Sequence, residues 1–296
     1  MKHYKSIISL HRENGFNLPE NPLLSLHRCN QQCSIGDREF TTDFYMIGFK
    51  KLKSGVIKYG RTKYDHENGS MSFVKPRQVI EFKDLHFDED GFLIFLHEDL
   101  LNGHFLHDEV KKYSFFDYEV NEALHLSPSE ESTMWELYHQ IEQEYHNNPD
   151  EYSKDIMLGH VATILKYAQR FYKRQFMNRA TVTGNTVSKF NQVLNDYFSR
   201  GYLQTKGLPS VHAIADELNL SGRYLSDLLK QETGKTAIDL IHIALISEAK
   251  NMLTGSDYRV SEIAYNLGFE NLPYFSRLFK REVGVSPNEF KKQLVN

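Results

Sequence analysis

Two periods of apolar residues follow one another along the chain. Between Thr41 and about Phe95 the pattern is short and strand-like. Phe44–Gly48, Gly55–Tyr59, Ser70–Val74, Gln78–Phe82 and Phe92–Leu96 are rich in aromatic and β-branched residues. Turn-forming clusters lie between them: Lys53-Ser54-Gly55, Glu67-Asn68-Gly69 and Glu89-Asp90-Gly91. Such spacing predicts a small antiparallel barrel or sandwich. After Leu126 the period lengthens. Ser127-Pro128-Ser129-Glu130 reads as a helix start, with Ser127 as N-cap, Pro128 at the first helical position and Glu130 completing a capping box. Met134, Tyr138, Ile141 and Tyr145 then lie on one face, and Asn147-Asn148-Pro149 ends the run. A second helix, Tyr152 to Gln175, carries a stripe of Met157, Val161, Ile164, Ala168 and Phe171. Such a stripe usually packs within its own domain, but two consecutive stripes are wide enough to serve both the domain and a second copy of the chain, so this helix is the expected dimer contact, with intramolecular core as the alternative.

The segment Arg179 to Thr186 (RATVTGNT) is polar, contains Gly184 and has no period, which predicts a linker. The expected division is therefore a regulatory and dimerisation domain at 1–178, a linker at 179–186 and an all-helical domain at 187–296. The last of these opens on an amphipathic helix, Val187 to Arg200, with Phe190, Val193, Leu194, Tyr197 and Phe198 on its apolar side.

Within the last domain the sequence repeats. Residues 211–234 read VHAIADELNLSGRYLSDLLKQETG, and residues 260–284 read VSEIAYNLGFENLPYFSRLFKREVG. Ile214-Ala215, Leu218 and Leu220 match Ile263-Ala264, Leu267 and Phe269 at an offset of 49. Tyr224, Ser226, Leu228, Lys230, Glu232 and Gly234 match Tyr274, Ser276, Leu278, Lys280, Glu282 and Gly284 at an offset of 50. The extra residue falls in the turn. Each copy has a short helix with a small Ala for close crossing, then a turn at Asn219 or Gly268, where a left-handed backbone is cheap. A second helix follows whose apolar side is Leu225, Leu228 and Leu229, or Phe275, Leu278 and Phe279. That is the plan of a helix-turn-helix, in which the second helix presents polar residues to a DNA groove. An ordinary helical hairpin would account for one copy. Two copies joined by one predicted helix, Ala237 to Leu253, favour the DNA reading.

The stretch from Arg259 to Phe290, above all IAYNLGFENLPYFSRLFKREVGVSPNEF, resembles the signature of the AraC/XylS family of bacterial transcription regulators, and the likeness covers roughly 187–296. The N-terminal part is similar to the cupin-like effector domains of that family through its strand pattern. The resemblance implies an α+β chain: a cupin-like β-barrel with helices, then two helix-turn-helix units binding direct-repeat half-sites in promoter DNA. It also implies response to a small-molecule effector, with RNA polymerase as a candidate partner. Carried over by position, Arg223, Ser226 and Asp227 become groove-facing in the first unit, and Tyr274 and Arg277 in the second. Ser221, Asn271 and Pro273 open the two groove helices, and Lys230, Lys280 and Arg281 lie further along, towards phosphate or solvent. Arginine is the commonest base reader, bidentate to guanine, and Asp227 either accepts from a cytosine amine or orients Arg223. The family commonly has Asp with Ser or His at the second groove helix start; Asn271-Leu272-Pro273 stands there instead and removes a polar contact.

Charge changes the picture only slightly. The whole chain carries −4, but 187–296 holds 13 Lys and Arg against 12 Asp and Glu, a local +1. Phosphate neutralisation dominates DNA affinity, so each half-site should bind weakly and a homodimer should supply the rest. Phe44, Tyr45, Phe73, Phe82 and Phe95 are candidates to line an effector pocket in the barrel. The same residues equally suit a filled core, which would make the protein a constitutive dimeric regulator. Cys29 and Cys33 read as reduced surface thiols, because His27 alone does not complete a metal site. His104 and His107 lack the close His-x-His of catalytic cupins, and the chain has no nucleophile elbow, phosphate loop or dinucleotide fingerprint. No cofactor, metal or enzymatic activity is expected. Without a long apolar segment, a cytoplasmic location and no membrane contact are expected.

Overall fold

Alternating apolar residues build ten strands in the N-terminal part. In chain order these are β1 (Lys2–Tyr4), β2 (Leu24–Cys29), β3 (Cys33–Ile35), β4 (Arg38–Thr42) and β5 (Phe44–Lys50). They continue as β6 (Leu52–Val56), β7 (Ser70–Val74), β8 (Ile80–Phe87), β9 (Gly91–His97) and β10 (Leu124–His125). The computed structural model describes residues 2–29, 33–35, 38–50, 52–56, 69–87, 91–118, 122–182, 186–255 and 258–293. Contacts divide the chain into two units, Met1–Phe176 and Met177–Asn296.

One sheet runs β1-β4-β8-β3 with β6 also on β8, and the other runs β10-β7-β5-β9-β2. Among the described residues only β1 with β4 is a parallel pair. Among the described residues the two sheets share no strand, so the expected barrel does not close. The chain changes sheet instead of extending a ladder. Between β7 and β8 it does so through a turn in which Arg77 adopts a left-handed φ of 65° and its amide donates to the Thr42 carbonyl at 2.7 Å. Lys53-Ser54-Gly55, expected as a turn, lies inside β6. The register against β8 shifts on either side of Ser54, as a bulge accommodates turn-prone residues within a strand. Of the expected strand Gly55–Tyr59, residues 57–59 lie outside the described residues.

The central strands are buried on both faces, which is why β9 reads GFLIFLH without alternation. Met46 lies opposite Phe95 and Val74, and Ile47 lies opposite Ile94 and Phe73. The Met46 side joins Phe44, Leu93, Ile80, Phe40, Tyr4, Ile7 and Leu10 in one core. On the Ile47 side, Phe92 stacks on Tyr138 at 4.4 Å, and Phe73 meets Phe115 at 4.6 Å.

Tyr138 belongs to α3 (Pro128–Tyr145), which opens on the expected capping box of Ser127 and Glu130. The helix α4 (Ser153–Val182) runs further than its apolar stripe predicts. It takes in 179–182 of the expected linker, because nothing from Arg179 to Val182 breaks a helix; residues 183–185 lie outside the described residues. The stripe itself corrects the dimer expectation. Met157, Val161, Ile164, Ala168 and Phe171 are all buried within the single chain, Ile164 completely. The stripe is intramolecular core and is not available to a second copy.

The second unit is helical: α5 (Thr186–Ser199), α6 (Tyr202–Lys206), α7 (Val211–Glu217), α8 (Gly222–Thr233), α9 (Ala237–Gly255), α10 (Val260–Asn266), α11 (Leu272–Val283) and α12 (Pro287–Gln293). A single core joins them. Ala237, Ile241, Leu245, Ile246, Ala249 and Leu253 of α9 are buried together with Leu225 and Leu229 of α8 and Phe275, Leu278 and Phe279 of α11. The sequence repeat continues past the matched segments. Thr236 and Asp239 bond reciprocally at the start of α9, and Ser286 and Glu289 do so at the start of α12, again fifty residues apart. These bonds hold the Asp239 and Glu289 carboxyls below the usual carboxylate range.

Two outcomes follow from this packing. Burial of an isoleucine contributes about 1.5–3 kcal/mol, and an unpaired charge in its place costs more. Ile164→Glu should therefore unfold the N-terminal unit, seen as lost circular dichroism; a folded monomer would return the stripe to the interface reading. The second concerns His11 of α1 (Ile7–Asn14), which is 2% exposed. Its Nδ1 meets the Asn17 carbonyl at 2.6 Å, and its Nε2 meets Ser25 Oγ at 3.2 Å. Burial pushes the imidazole below its ordinary range, against the Asn17 bond. The folded state thus favours the neutral ring, while the unfolded chain takes up a proton below about pH 6.5. The stability is present above that pH and lost as pH falls from there towards the folded value. The melting temperature should drop between pH 7.5 and 5.5, and drop less in His11→Gln. Equal slopes would remove His11 from the account.

Candidate nucleic-acid interface

The helix expected to enter a groove in the first unit, α8, is set by its cap. Ser221 is extended (φ −71°, ψ 148°), and its Oγ accepts from the Tyr224 amide at 3.2 Å. Ahead of it Asn219 takes the left-handed φ of 56° that lets α7 turn into α8. Tyr224, Leu225, Leu228 and Leu229 are buried, which turns Arg223, Ser226, Asp227 and Lys230 to the opposite side at i, i+3, i+4 and i+7. Arg223 and Lys230 are exposed, and Ser226 and Asp227 are half-buried. Arg223 Nε lies 3.6 Å from Asp227 Oδ2.

The corresponding helix of the second unit, α11, repeats the plan with different chemistry. Asn271 caps α11, its side-chain oxygen accepting from the Tyr274 amide at 3.0 Å, so that oxygen is engaged by the helix. Leu272 takes the first helical position and Pro273 the second, where no intrahelical partner for its nitrogen is needed. The turn before it depends on Gly268, with a φ of 81°. A Cβ there would stand 2.6 Å from the Leu203 carbonyl oxygen and 2.9 Å from Gly207 C, so no other residue fits. Phe275, Leu278 and Phe279 face the core, and Pro273, Tyr274, Arg277, Lys280 and Arg281 are exposed.

The two units are not copies at the surface. Tyr224 and Tyr274 are matched in sequence, yet Tyr224 is 1% exposed and Tyr274 is 40% exposed. Where the first stripe has Asp227, the second has Arg277 at the same offset. Tyr274 and Arg281 do not stand alone: both meet His242 of α9, a residue that sequence periodicity did not single out. It follows the buried Ile241, and only the phase of α9 against α11 reveals it.

The five aromatics expected around an effector do not line one cavity. Strand register puts Phe44 and Phe95 on one face of the sheet and Tyr45 and Phe73 on the other. Phe44 packs edge-on against Phe95 at 6.0 Å, and Tyr45 against Phe116 at 5.2 Å. Phe82 lies in β8, with its side chain outside the described residues. The side chains of Cys29 and Cys33 also lie outside them. Among the described residues no three His, Cys, Asp or Glu side chains converge as metal ligands. His107 pairs with Lys111 at 2.8 Å, and His104 Nδ1 accepts from the Leu106 amide at 3.2 Å. Among the described residues no helix is long and apolar enough to cross a membrane.

A family model described as a helix-turn-helix domain matches residues 214–293, which take in α8 to α12. The HTH-type transcriptional activator RhaS of Salmonella paratyphi B is 34% identical over 111 residues, 36% of this chain and 37% of that protein. The chain thus matches little more than a third of the length of these curated relatives. Among solved structures, the C-terminal domain of AraT, a response regulator from Geobacillus stearothermophilus, is 30% identical, covering 35% of this chain and 84% of that one with a TM-score of 0.31. ToxT of Vibrio cholerae is 15% identical, covering 93% and 99% with a TM-score of 0.32. The repeated, capped helix-turn-helix units already described coincide with the matched segment, residues 214–293, which is similar to the helix-turn-helix domain of AraC/XylS-type transcription regulators.

Proposed function

We propose that the chain is a sequence-specific, DNA-binding transcription regulator that binds promoter direct repeats as a homodimer in the cytoplasm. The carrying observation is the pair of capped helices, α8 and α11, each with its apolar side in one shared core and its polar side exposed. The connecting α9 has 19 residues, a length of about 28 Å. That is close to the roughly 34 Å between successive major-groove faces, which supports entry of the two helices into neighbouring grooves. Residues 187–296 form the DNA-binding domain on this reading and 1–178 the regulatory one, and RNA polymerase is the further partner at a promoter. The +1 charge of 187–296 supports dimerisation, since phosphate contacts are few. The α4 stripe is not its contact, whereas the outward Tyr152 and Ile156 remain exposed.

For the N-terminal unit, the packing favours the constitutive reading over an effector held by Phe44, Tyr45, Phe73 and Phe95. Each described ring among them is spent on a neighbouring ring. A thermal-shift panel of sugars, fatty acids and aromatic metabolites on the full chain should give no dose-dependent rise. A shift of about 2 °C or more with any class would establish small-molecule control.

The DNA reading is tested by removing charge. Arg277 is exposed on the groove side and, among the described residues, no carboxylate pairs with it. Arg277→Ala should relax preference at one base position at a cost of about 1–3 kcal/mol. Lys280→Ala should weaken all sequences alike and lower the salt slope by roughly one unit. If Arg277→Ala weakened every sequence equally, the residue would be a phosphate contact and not a base reader.

A further inference from the structure

The buried line of α9 passes through Ile241 and Leu245, and the next residue after Ile241 sits at the seam with α11. There His242 is half-buried between two side chains of the groove helix. Its Nε2 is 3.4 Å from the Tyr274 hydroxyl, and its Nδ1 is 3.2 Å from Arg281 Nη2. A guanidinium only donates, so Nδ1 accepts, and Nε2 carries the proton and donates to the phenol oxygen. A protonated ring has no acceptor for Arg281, so the arrangement needs neutral imidazole. Burial and the Arg281 charge both push the ring below its ordinary range, opposed by Glu282 and Asp239. Arg281 is held from its other side by Glu282, Nε to Oε1 at 2.9 Å. Both held side chains still reach solvent, Tyr274 at 40% and the Arg281 side chain at 59%.

We propose that His242 is a positioning residue for DNA reading: it holds the Tyr274 phenol and the Arg281 guanidinium in one arrangement before α11 meets DNA. This rests on α11 being a groove helix. Long side chains lose rotamer freedom when they dock, and chains fixed beforehand lose less. The first unit achieves the same within one helix, through Arg223 and Asp227. In α11 the place of Asp227 is taken by Arg277, and the orienting group comes instead from α9. Specificity of the second unit therefore depends on a residue outside both repeats.

The test uses the full chain and two duplexes, one enriched by the wild-type protein from a random library and one shuffled to the same composition. His242→Ala should weaken the enriched duplex about 3- to 10-fold relative to the shuffled one, within the range that coupled neighbours show. His242→Gln, which keeps a donor and an acceptor, should return binding to within about twofold. Arg281→Ala should cost less in the His242→Ala background than alone, by about threefold or more. If Arg277→Ala weakens binding while His242→Ala does not, α11 reads DNA and His242 plays no part. Equal losses in His242→Ala and His242→Gln, with a lowered melting temperature in both, make the ring a packing element and overturn the proposal. Should Arg277→Ala, Lys280→Ala and His242→Ala all leave both duplexes unaffected, the groove assignment of α11 itself fails, and the proposal with it.

Discussion

The burial of α9 against both helix-turn-helix units is the interaction on which the DNA-binding unit depends. Each unit alone has two short helices, and short helices in water are marginal without tertiary packing. By contributing six buried residues to one core, α9 gives Leu225 and Leu229 on one side and Phe275, Leu278 and Phe279 on the other a common partner. The orientation of each groove helix then follows from core geometry rather than from its own exposed residues. Capping fixes where each begins: Ser221 and Asn271 use a side-chain oxygen for the third helical amide, so the polar stripe starts at a defined height. Gly268 closes the remaining freedom, since its left-handed turn lies against the backbone of Leu203 and Gly207.

A different constraint governs the N-terminal unit. Its central sheet has no face left for water, because one side meets the second sheet and the other meets α3 and the segment around Phe115. Once both faces are covered, every additional helix must either cover apolar surface or remain polar. The stripe of α4 covers it. A pattern that looks too apolar for a surface helix is accounted for by burial within the chain itself, without a partner. The same double coverage explains why aromatic residues of adjacent positions, Phe44 and Tyr45, take part in separate clusters.

Much of this was legible in the sequence where local chemistry decides the outcome. The capping box at Ser127, the left-handed positions at Asn219 and Gly268, and the apolar sides of α8 and α11 all depend on residues within a few positions of one another. What was hidden depends on contacts between distant segments. Short strands such as β1, β3 and β10 have two or three residues and no period of their own. Lys53-Ser54-Gly55 has turn chemistry but is held in β6 by pairing with β8. Whether an apolar stripe faces the chain itself or a second copy is not a property of the stripe. His242 is hidden for the same reason: its partners lie 32 and 39 residues away, and half-burial beside an isoleucine has no signature in periodicity.

The repeat is therefore strict in its core and loose in its chemistry, and this difference bears on how the two units divide the work. Core positions match because both units must pack on one helix. Surface positions are released from that requirement, and they diverge: buried Tyr224 against exposed Tyr274, Asp227 against Arg277, the cap followed by Gly222 in one and by Leu272-Pro273 in the other. In α8 the exposed cations are Arg223, tied to Asp227, and Lys230; in α11 they are Arg277, Lys280 and Arg281. The second helix presents more positive charge, and among the described residues no carboxylate pairs with Arg277 as Asp227 does with Arg223. If both helices enter grooves as proposed, attraction to phosphate is weighted towards α11, while α8 brings a single oriented arginine. On a domain whose net charge is only +1, such an uneven division would, on the proposed reading, concentrate the available electrostatic attraction at the groove that α11 enters and leave the other to geometric fit.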